Sequence, residues 1–462
     1  MIDSDVLERV LARALRTGGE WAEVFAEDKR VTGASLDDGR VEDVTSGRDR
    51  GAGIRVVVGE TTGFAHTADI SEAGLLAAAE AAAAAARGGG GRVEVRPLSA
   101  AEIPRRGGRV EPESVATASK VELLQRADDV ARSQGGAITQ VSASYGDVHR
   151  RLVVANSDGL LARDDQVRTR FAVQCVASGD TGMQTGYHVA ARTMGFEMFD
   201  LVDVDQVALE AARRALVKLA ARPAPSGVVP VVLKGGSGGM MFHEACGHGL
   251  EADAILKDSS VYSGRVGQQV ASPLVTLVDD GTMPGEWGTT AVDDEGRPAA
   301  HNVLIKDGVL TDYMWDFLRA RKEGRASSGN GRRQSYQHLP LVRMTNTYLV
   351  AGTEDPEEIV SQTPHGIYVA QLGGGSVNTA TGDFVFGMTE AYLIEDGRIT
   401  DPIRDANLMG NGPDVLSKVD VVGNDFATIA GTCGKDGQSV PVGCGQPTLR
   451  VTGVTVGGTA GA

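Results

Sequence analysis

The hexapeptide Arg222-Pro223-Ala224-Pro225-Ser226-Gly227 constrains this chain more than any other stretch. Its two prolines remove backbone donors and stop the helical pattern that precedes them, and the glycine lets the chain change direction. The patterns on either side differ. Before the break, helical periodicity alternates with β-like runs; after it, β-like runs separated by Gly, Asp and Asn dominate. A chain of 462 residues is long for one compact core. The break is therefore read as a boundary between two domains, 1-224 and 225-462. The fold class that follows is α+β, with a mixed α/β N-terminal domain and a β-rich C-terminal domain.

Upstream of the break, Val6, Leu7, Val10, Leu11, Ala14 and Leu15 share one helical face, which predicts an amphipathic helix over 5–16 that stops at Gly18-Gly19. Short β-rich runs follow from Trp21 to about Phe64. They include 53–58 and the turn signal Asp37-Asp38-Gly39, consistent with antiparallel hairpins. An Ala-rich helix over 71–86 ends at Arg87 and Gly88–Gly91, and further helices are predicted over 114–134 and 205–221. Between these last two lie alternating runs at 137–144, 152–155 and 169–177. Helix, sheet, helix, sheet reads as two related α+β lobes. Downstream, 228–233, 274–278, 366–372 and 391–394 are the clearest strands.

Net charge is −16, with the acidic residues spread along the chain, which opposes a nucleic-acid partner and favours solubility. No apolar run approaches the roughly 18 residues needed to cross a bilayer, and the first residues lack a basic-then-apolar leader pattern. The expected location is the cytoplasm. Four cysteines, Cys175, Cys246, Cys433 and Cys444, are too few for a disulfide framework in a chain this long. A reducing compartment leaves them available as metal ligands.

One segment joins the strand at 228–233, through the turn 235–239, to helix-compatible spacing over 240–254. It reads His243-Glu244-Ala245-Cys246-Gly247-His248. The glycine turn alone would fit a phosphate at a helix N-terminus, but the Gly-Lys-Ser/Thr ending of a phosphate loop is absent. Zinc peptidase helices place histidines at i and i+4, about 40° apart around the axis; an i, i+5 pair lies roughly 140° apart in a regular helix. A π-type widening near Gly247 is the expected remedy. With two imidazoles on one zinc ion, Glu244 stands where a general base takes a proton from the attacking water. The third ligand is open to Cys246, to Glu251 or Asp253, or to a distant cysteine; a distant loop such as that of Cys433 closes the site with least strain.

The words from His243 to Asp253 resemble the signature of the TldD/PmbA family, in its metal-bearing TldD branch. Further stretches agree in order: Ser35 to Val41, Gly51 to Arg55, Thr62 to Ala65, Arg343 to Thr347, Gly373-Gly374-Gly375, and Cys433 to Gln438 continuing through Gly445-Gln446-Pro447-Thr448. The resemblance implies a zinc metallopeptidase, a hydrolase, in which His243, His248 and Cys433 hold Zn2+ and Glu244 is catalytic. It also implies a homologous TldE/PmbA-type partner subunit, with a homodimer as the alternative, and a site enclosed within the assembly. Enclosure suits short or unfolded polypeptides, modified-peptide precursors among them, since an extended peptide pairs its backbone with a strand edge.

Gly373, Gly374 and Gly375 either permit close approach of such a substrate or form a bulge. Arg343 and Asn346 are candidates to position a substrate carbonyl or carboxylate, or to make structural hydrogen bonds. Cys444 competes with Cys433 by proximity in sequence. Two other functions share these residues: a non-catalytic peptide-binding or regulatory subunit with a structural zinc, and a zinc amidase acting on a small metabolite.

Overall fold

The computed structural model describes residues 2–86, 93–103 and 108–459, so the expected stop at Arg87 and Gly88–Gly91 lies outside them. Helix α1 (Ser4–Leu15) buries Leu7, Val10, Leu11, Ala14 and Leu15, the stripe set by its apolar spacing. Helices α2 (Glu72–Ala86), α3 (Thr117–Arg132) and α4 (Val204–Ala220) fall within three residues of their predicted ends.

The β runs of the N-terminal part are longer than their apolar cores indicate. They form β1 (Trp21–Asp37), β2 (Arg40–Val58), β3 (Thr61–Thr67), β4 (Ser99–Ala100), β5 (Ile138–Asn156), β6 (Leu160–Gly179) and β7 (Gly182–Arg192). Asp38 and Gly39 take φ values of 47° and 76°, and this two-residue turn pairs Asp37 with Arg40. The two expected lobes are two antiparallel meanders that merge. β1 pairs with β5 from Glu23↔Asn156 to Asp37↔Ser142, giving one seven-stranded sheet in the order β3-β2-β1-β5-β6-β4, with β7 also on β6.

Side chains alternate across this sheet. Val24, Ala26, Ile54 and Val153 meet α1 and α2, while Leu36, Val141, Phe171 and Val173 meet α3 and α4 on the same face. Each meander presses a glycine of its outer strand against a helix. A Cβ at Gly63 would lie 2.1 Å from the Ala82 carbonyl oxygen and one at Gly186 2.0 Å from that of Ala211, so both positions exclude a side chain. The opposite face carries Phe25, Leu152 and Val154, which pack with Val292 and Tyr336 of the C-terminal part. Charged side chains interleave with them: Arg55 bridges Glu23 and Glu295, and Arg150 bridges Glu27 and Asp294.

After β8 (Arg222–Pro223) and β9 (Gly227–Leu233) the chain is mostly β. Strands His365–Val377, β9, Leu449–Gly457, Ala406–Asn411 and Asp383–Glu395 pair in that order, and the last returns to the first, so the ring closes around an apolar interior. A second sheet has six strands. One edge of it is the hairpin Ala427–Lys435/Gln438–Gln446, whose second strand runs parallel to Asn346–Leu349. The run at 274–278 contributes its end only, the strand being Leu277–Asp280, because Val275 turns back onto Ser272. Among the described residues no helix is long and apolar enough to cross a membrane.

Candidate metal centre

From β9 the chain turns at Lys234–Gly238 and enters a short helix, α5 (Gly239–Ala245). The turn is tied down from three sides. Lys234 N–H donates to the Val369 carbonyl, Ser237 Oγ donates to the Lys234 and Val369 carbonyls, and Gln446 Nε2 donates to Lys234 O. Gly239 starts the helix hard against the Gln438–Gln446 strand, where a Cβ would meet Gly445 N at 2.6 Å. The glycines therefore serve close packing of helix on strand.

The helix does not widen into a π turn. It stops: Cys246 leaves the α region at φ −123°, ψ −52°, and Gly247–Leu250 continue as a 3-10 turn. The break brings together what a regular helix would hold apart, with the imidazole centroids of His243 and His248 5.1 Å apart and their planes at 82°. Gly247 is needed for a contact invisible locally, since a Cβ there would lie 2.1 Å from Met344 Sδ. Cys246 points away, into the apolar core beside Tyr262, and burial pushes its thiol up to about 12.

Cys433, on the facing hairpin, completes the group. Its Sγ lies 3.4 Å from His248 Nε2, and ligand atoms of His243, His248 and Cys433 all fall within 4.8 Å of one another. A tetrahedral zinc with bonds of about 2.0 Å to nitrogen and about 2.3 Å to sulfur holds such atoms roughly 3.5 Å apart. Both ring nitrogens of His243 are fully buried with no hydrogen-bond partner among the described residues. Orphaned buried polar atoms are costly unless something binds them, and a metal ion would supply that partner. Burial pushes the Cys433 thiol up, but the two imidazoles beside it more than offset this and bring it to about 4. The thiolate so favoured is the form that ligates metal.

Glu244 stands at the rim, partly exposed, with Oε2 3.8 Å from His248 Nε2. Cys444 sits on the adjacent strand, packs with Cys433 and approaches His243, yet belongs to no three-ligand group among the described residues. Glu251 and Asp253, open as ligands from spacing, support the ligands from behind. Glu251 Oε2 accepts from His248 Nδ1 at 3.0 Å and from Lys435 Nζ at 2.8 Å, and Lys435 also donates to Asp253 at 2.7 Å. The Glu251 bond leaves Nε2 of His248 to face Cys433. Lys435 is the partner that spacing did not reveal; its sequence signal is its place in the family-like run from Cys433 to Gln438.

Arg343 is fully enclosed, and its Nη2 donates to the Cys433 carbonyl at 2.6 Å while Nη1 reaches Gln438 O at 3.3 Å. Asn346, also enclosed, donates to Asp280 O and Thr289 Oγ1 and accepts from Gly288 N–H. Arg343 thus fixes the backbone of the Cys433 hairpin, and Asn346 that of the 280–289 segment. Gly373–Gly375 form a bulge: Leu372 pairs with Met388 and Gly375 with Phe386, leaving two glycines between on an exposed stretch. A second cluster, Glu111, Glu113 and His149, lies on the N-terminal part, where both His149 nitrogens already meet carboxylates, those of Glu113 and Asp165.

Three profiles of one family match this chain in sequence order. They are described as PmbA/TldA metallopeptidase domain 1 over residues 22–86, the central domain over 110–219 and the C-terminal domain over 226–458. The chain belongs to the PmbA/TldD metallopeptidase family. It is 40% identical to the metalloprotease TldD homolog of Haemophilus influenzae over 95% of this chain and 93% of that one. It is 35% identical to a metalloprotease of Methanothermobacter thermautotrophicus, across 99% of this chain and 100% of the relative. The fold matches the crystal structure of TldE from Thermococcus kodakarensis with a TM-score of 0.77 at 20% identity, covering 98% and 99% of the two chains. This family member is accordingly a metalloprotease, and the His243, His248 and Cys433 cluster is where its residues suit a metal.

Proposed function

We propose that the protein is a zinc-dependent peptidase in which His243, His248 and Cys433 hold the ion and Glu244 is the general base. The observation that carries this reading is the convergence of a thiolate-favouring cysteine on two buried imidazoles, one of them without any other partner. Mixed nitrogen and sulfur donors suit zinc among the common metals. Bound there, zinc supplies Lewis-acid polarisation of a water molecule and of the scissile carbonyl. Glu244 accepts the proton of the attacking water and returns it to the departing amine, a role its partly exposed place beside His248 Nε2 allows. Glu251 holds His248 in one tautomer, and Arg343 holds the Cys433 backbone.

The substrate class that fits is a short or unfolded polypeptide. The glycine bulge at 373–375 lies on a strand against which α5 packs, and its exposed backbone is free to accept an extended chain. The TldE-like fold supports a homologous partner subunit that encloses the site, the four free cysteines support a reducing, cytoplasmic setting, and a two-domain division at 224/225 belongs to the same reading. Glu244→Gln is expected to retain about one zinc per chain and to abolish cleavage of a mixed peptide pool read by mass spectrometry. Retained cleavage removes Glu244 as the base.

The approach of Cys444 to His243 favours a second reading, a structural zinc with four protein ligands in a non-catalytic subunit. X-ray absorption separates the two: one sulfur ligand with an open position supports the peptidase, and two sulfurs with two nitrogens support the structural site.

A further inference from the structure

Behind the metal ligand strand lies a cavity of about 200 Å³, open on one side, between the seven-stranded sheet and the C-terminal part. None of His243, Glu244, His248 and Cys433 lines it. Its relation to the metal centre follows from strand alternation. On the hairpin, Cys433 is paired with Val440 and Thr432 with Pro441, so Cys433 faces the metal site while Thr432 and Pro441 face the cavity.

The cavity walls are unusually cationic. On the sheet side, Lys29 and Arg150 are directly opposed on β1 and β5, and Arg168 lies on the same face of β6; Arg332 and Arg333 enter from the other side. Arg150 and Arg333 have carboxylate partners, Glu27 with Asp294 and Glu23 respectively. Arg168 and Arg332 do not. Arg168 donates to Gln166 Oε1, Trp287 O and Thr289 O, and Arg332 donates to the Met344 and Pro441 carbonyls, all neutral groups. Among the described residues neither forms an ion pair, although both are more than nine-tenths buried. Arg150 Nη2 and Arg333 Nη1, also at the cavity, are buried donors without any acceptor.

Two buried guanidinium groups with no carboxylate at ion-pair distance are an expensive arrangement. The strain registers in their titration: burial, then the charges of Arg332 and Arg150, draw Arg168 down to about 9, and burial draws Arg332 down to about 10. The charges of Asp164 and Asp294 act on Arg168 and those of Asp294 and Asp279 on Arg332, but only from beyond ion-pair distance. Asp294 is bonded to Arg150 and the Arg333 amide, Asp164 to Gln166, and Asp279 to Asn330, Thr345 and Thr347, while Asp293 accepts from the Gly331, Glu295 and Arg297 amides. Planar guanidinium forks match oxyanions, and a cavity of this size admits one small anion with few waters.

We infer that this cavity is a binding site for a small multivalent oxyanion, held by Arg168 and Arg332 with Lys29 at the rim. The ligand class is a tetrahedral phosphate-type ion or a compact dicarboxylate. Neither requires the peptidase chemistry, so the site stands or falls independently of the metal reading.

The test is isothermal titration calorimetry of the full chain, in a buffer free of both anions, with inorganic phosphate in one series and malonate in another. Saturable binding of at least one anion, at about one per chain, is expected. Arg168→Gln, which keeps a polar side chain, is expected to weaken that binding at least tenfold, and Lys29→Ala, at the half-exposed rim, at least threefold. The Lys29 variant keeps the inference testable if the buried substitution prevents folding. Binding of phosphate alone identifies a tetrahedral ligand, and of malonate alone a carboxylate. No saturable heat from either anion, or binding unchanged in the variants that fold, overturns the inference.

Discussion

Replacing Glu251 by glutamine isolates the support of one proposed metal ligand, His248, without touching the imidazole itself. The Glu251 carboxylate accepts from both His248 Nδ1 and Lys435 Nζ, and it is fully enclosed. Glutamine can still accept from His248 through its oxygen, but its amide then turns donor hydrogens toward the Lys435 ammonium, and the charge that raises imidazole basicity is gone. A hydrogen bond to a charged group contributes about 1.5–3 kcal/mol, equivalent to roughly 10- to 150-fold in a binding constant. Zinc affinity is therefore expected to fall within about 10- to 100-fold, the range typical for loss of such a partner. Competition against a chromogenic chelator measures it, with circular dichroism to establish that the apoprotein remains folded. A folded Glu251→Gln protein whose zinc affinity stays within about threefold of the parent would refute the reasoning that His248 depends on Glu251.

Gly247→Ala drives a methyl group into Met344 Sδ; overpacking of this kind costs about 1–3 kcal/mol, and chemical denaturation should show that loss, partly recovered by pairing it with the smaller Met344→Ala if the clash is the cause. Gly63→Ala and Gly186→Ala each place a Cβ against a helix carbonyl that cannot move aside, so each should lower the melting temperature, and their effects should add because they sit in separate meanders. His188, which accepts from Arg214, is drawn down to about 4, first by burial and then by the Arg214 charge. The unfolded chain takes up a proton near pH 6.5 and the folded one only near 4, so stability is lost as pH falls across that window, by up to about 3 kcal/mol. His188→Gln should flatten urea-derived stability between pH 6.5 and 4; an unchanged slope rejects the assignment.

The N-terminal helices were legible because their apolar spacing is local and complete, as in α1 and α4. Strand lengths were not. The first half of β2, Arg40 to Arg50, is exposed and mostly polar and is held in register by pairing with β1, which composition does not register. At the candidate metal centre, spacing singled out His243, Glu244 and His248 but left the third ligand open; Cys433 came from the resemblance to a family, and the geometry brings it to the histidines. The spacing predicts a widened turn where the helix instead stops at Cys246, and the Met344 side chain that packs on Gly247 there lies almost a hundred positions away. Arg343 and Asn346 were marked by type as polar groups near a site, yet type alone cannot tell a side chain that meets substrate from one that holds backbone.

The hairpin that delivers Cys433 is separated from His248 by 185 positions along the chain. Bringing such distant segments together carries a loop-closure cost that local contacts cannot repay. A chain still being synthesised, or one clipped ahead of the hairpin, therefore has two imidazoles and no thiolate. The fold thus acts as its own safeguard: in this reading the hydrolase becomes competent only when the last strands are in place, and no separate inhibitory segment is required to keep the growing chain silent.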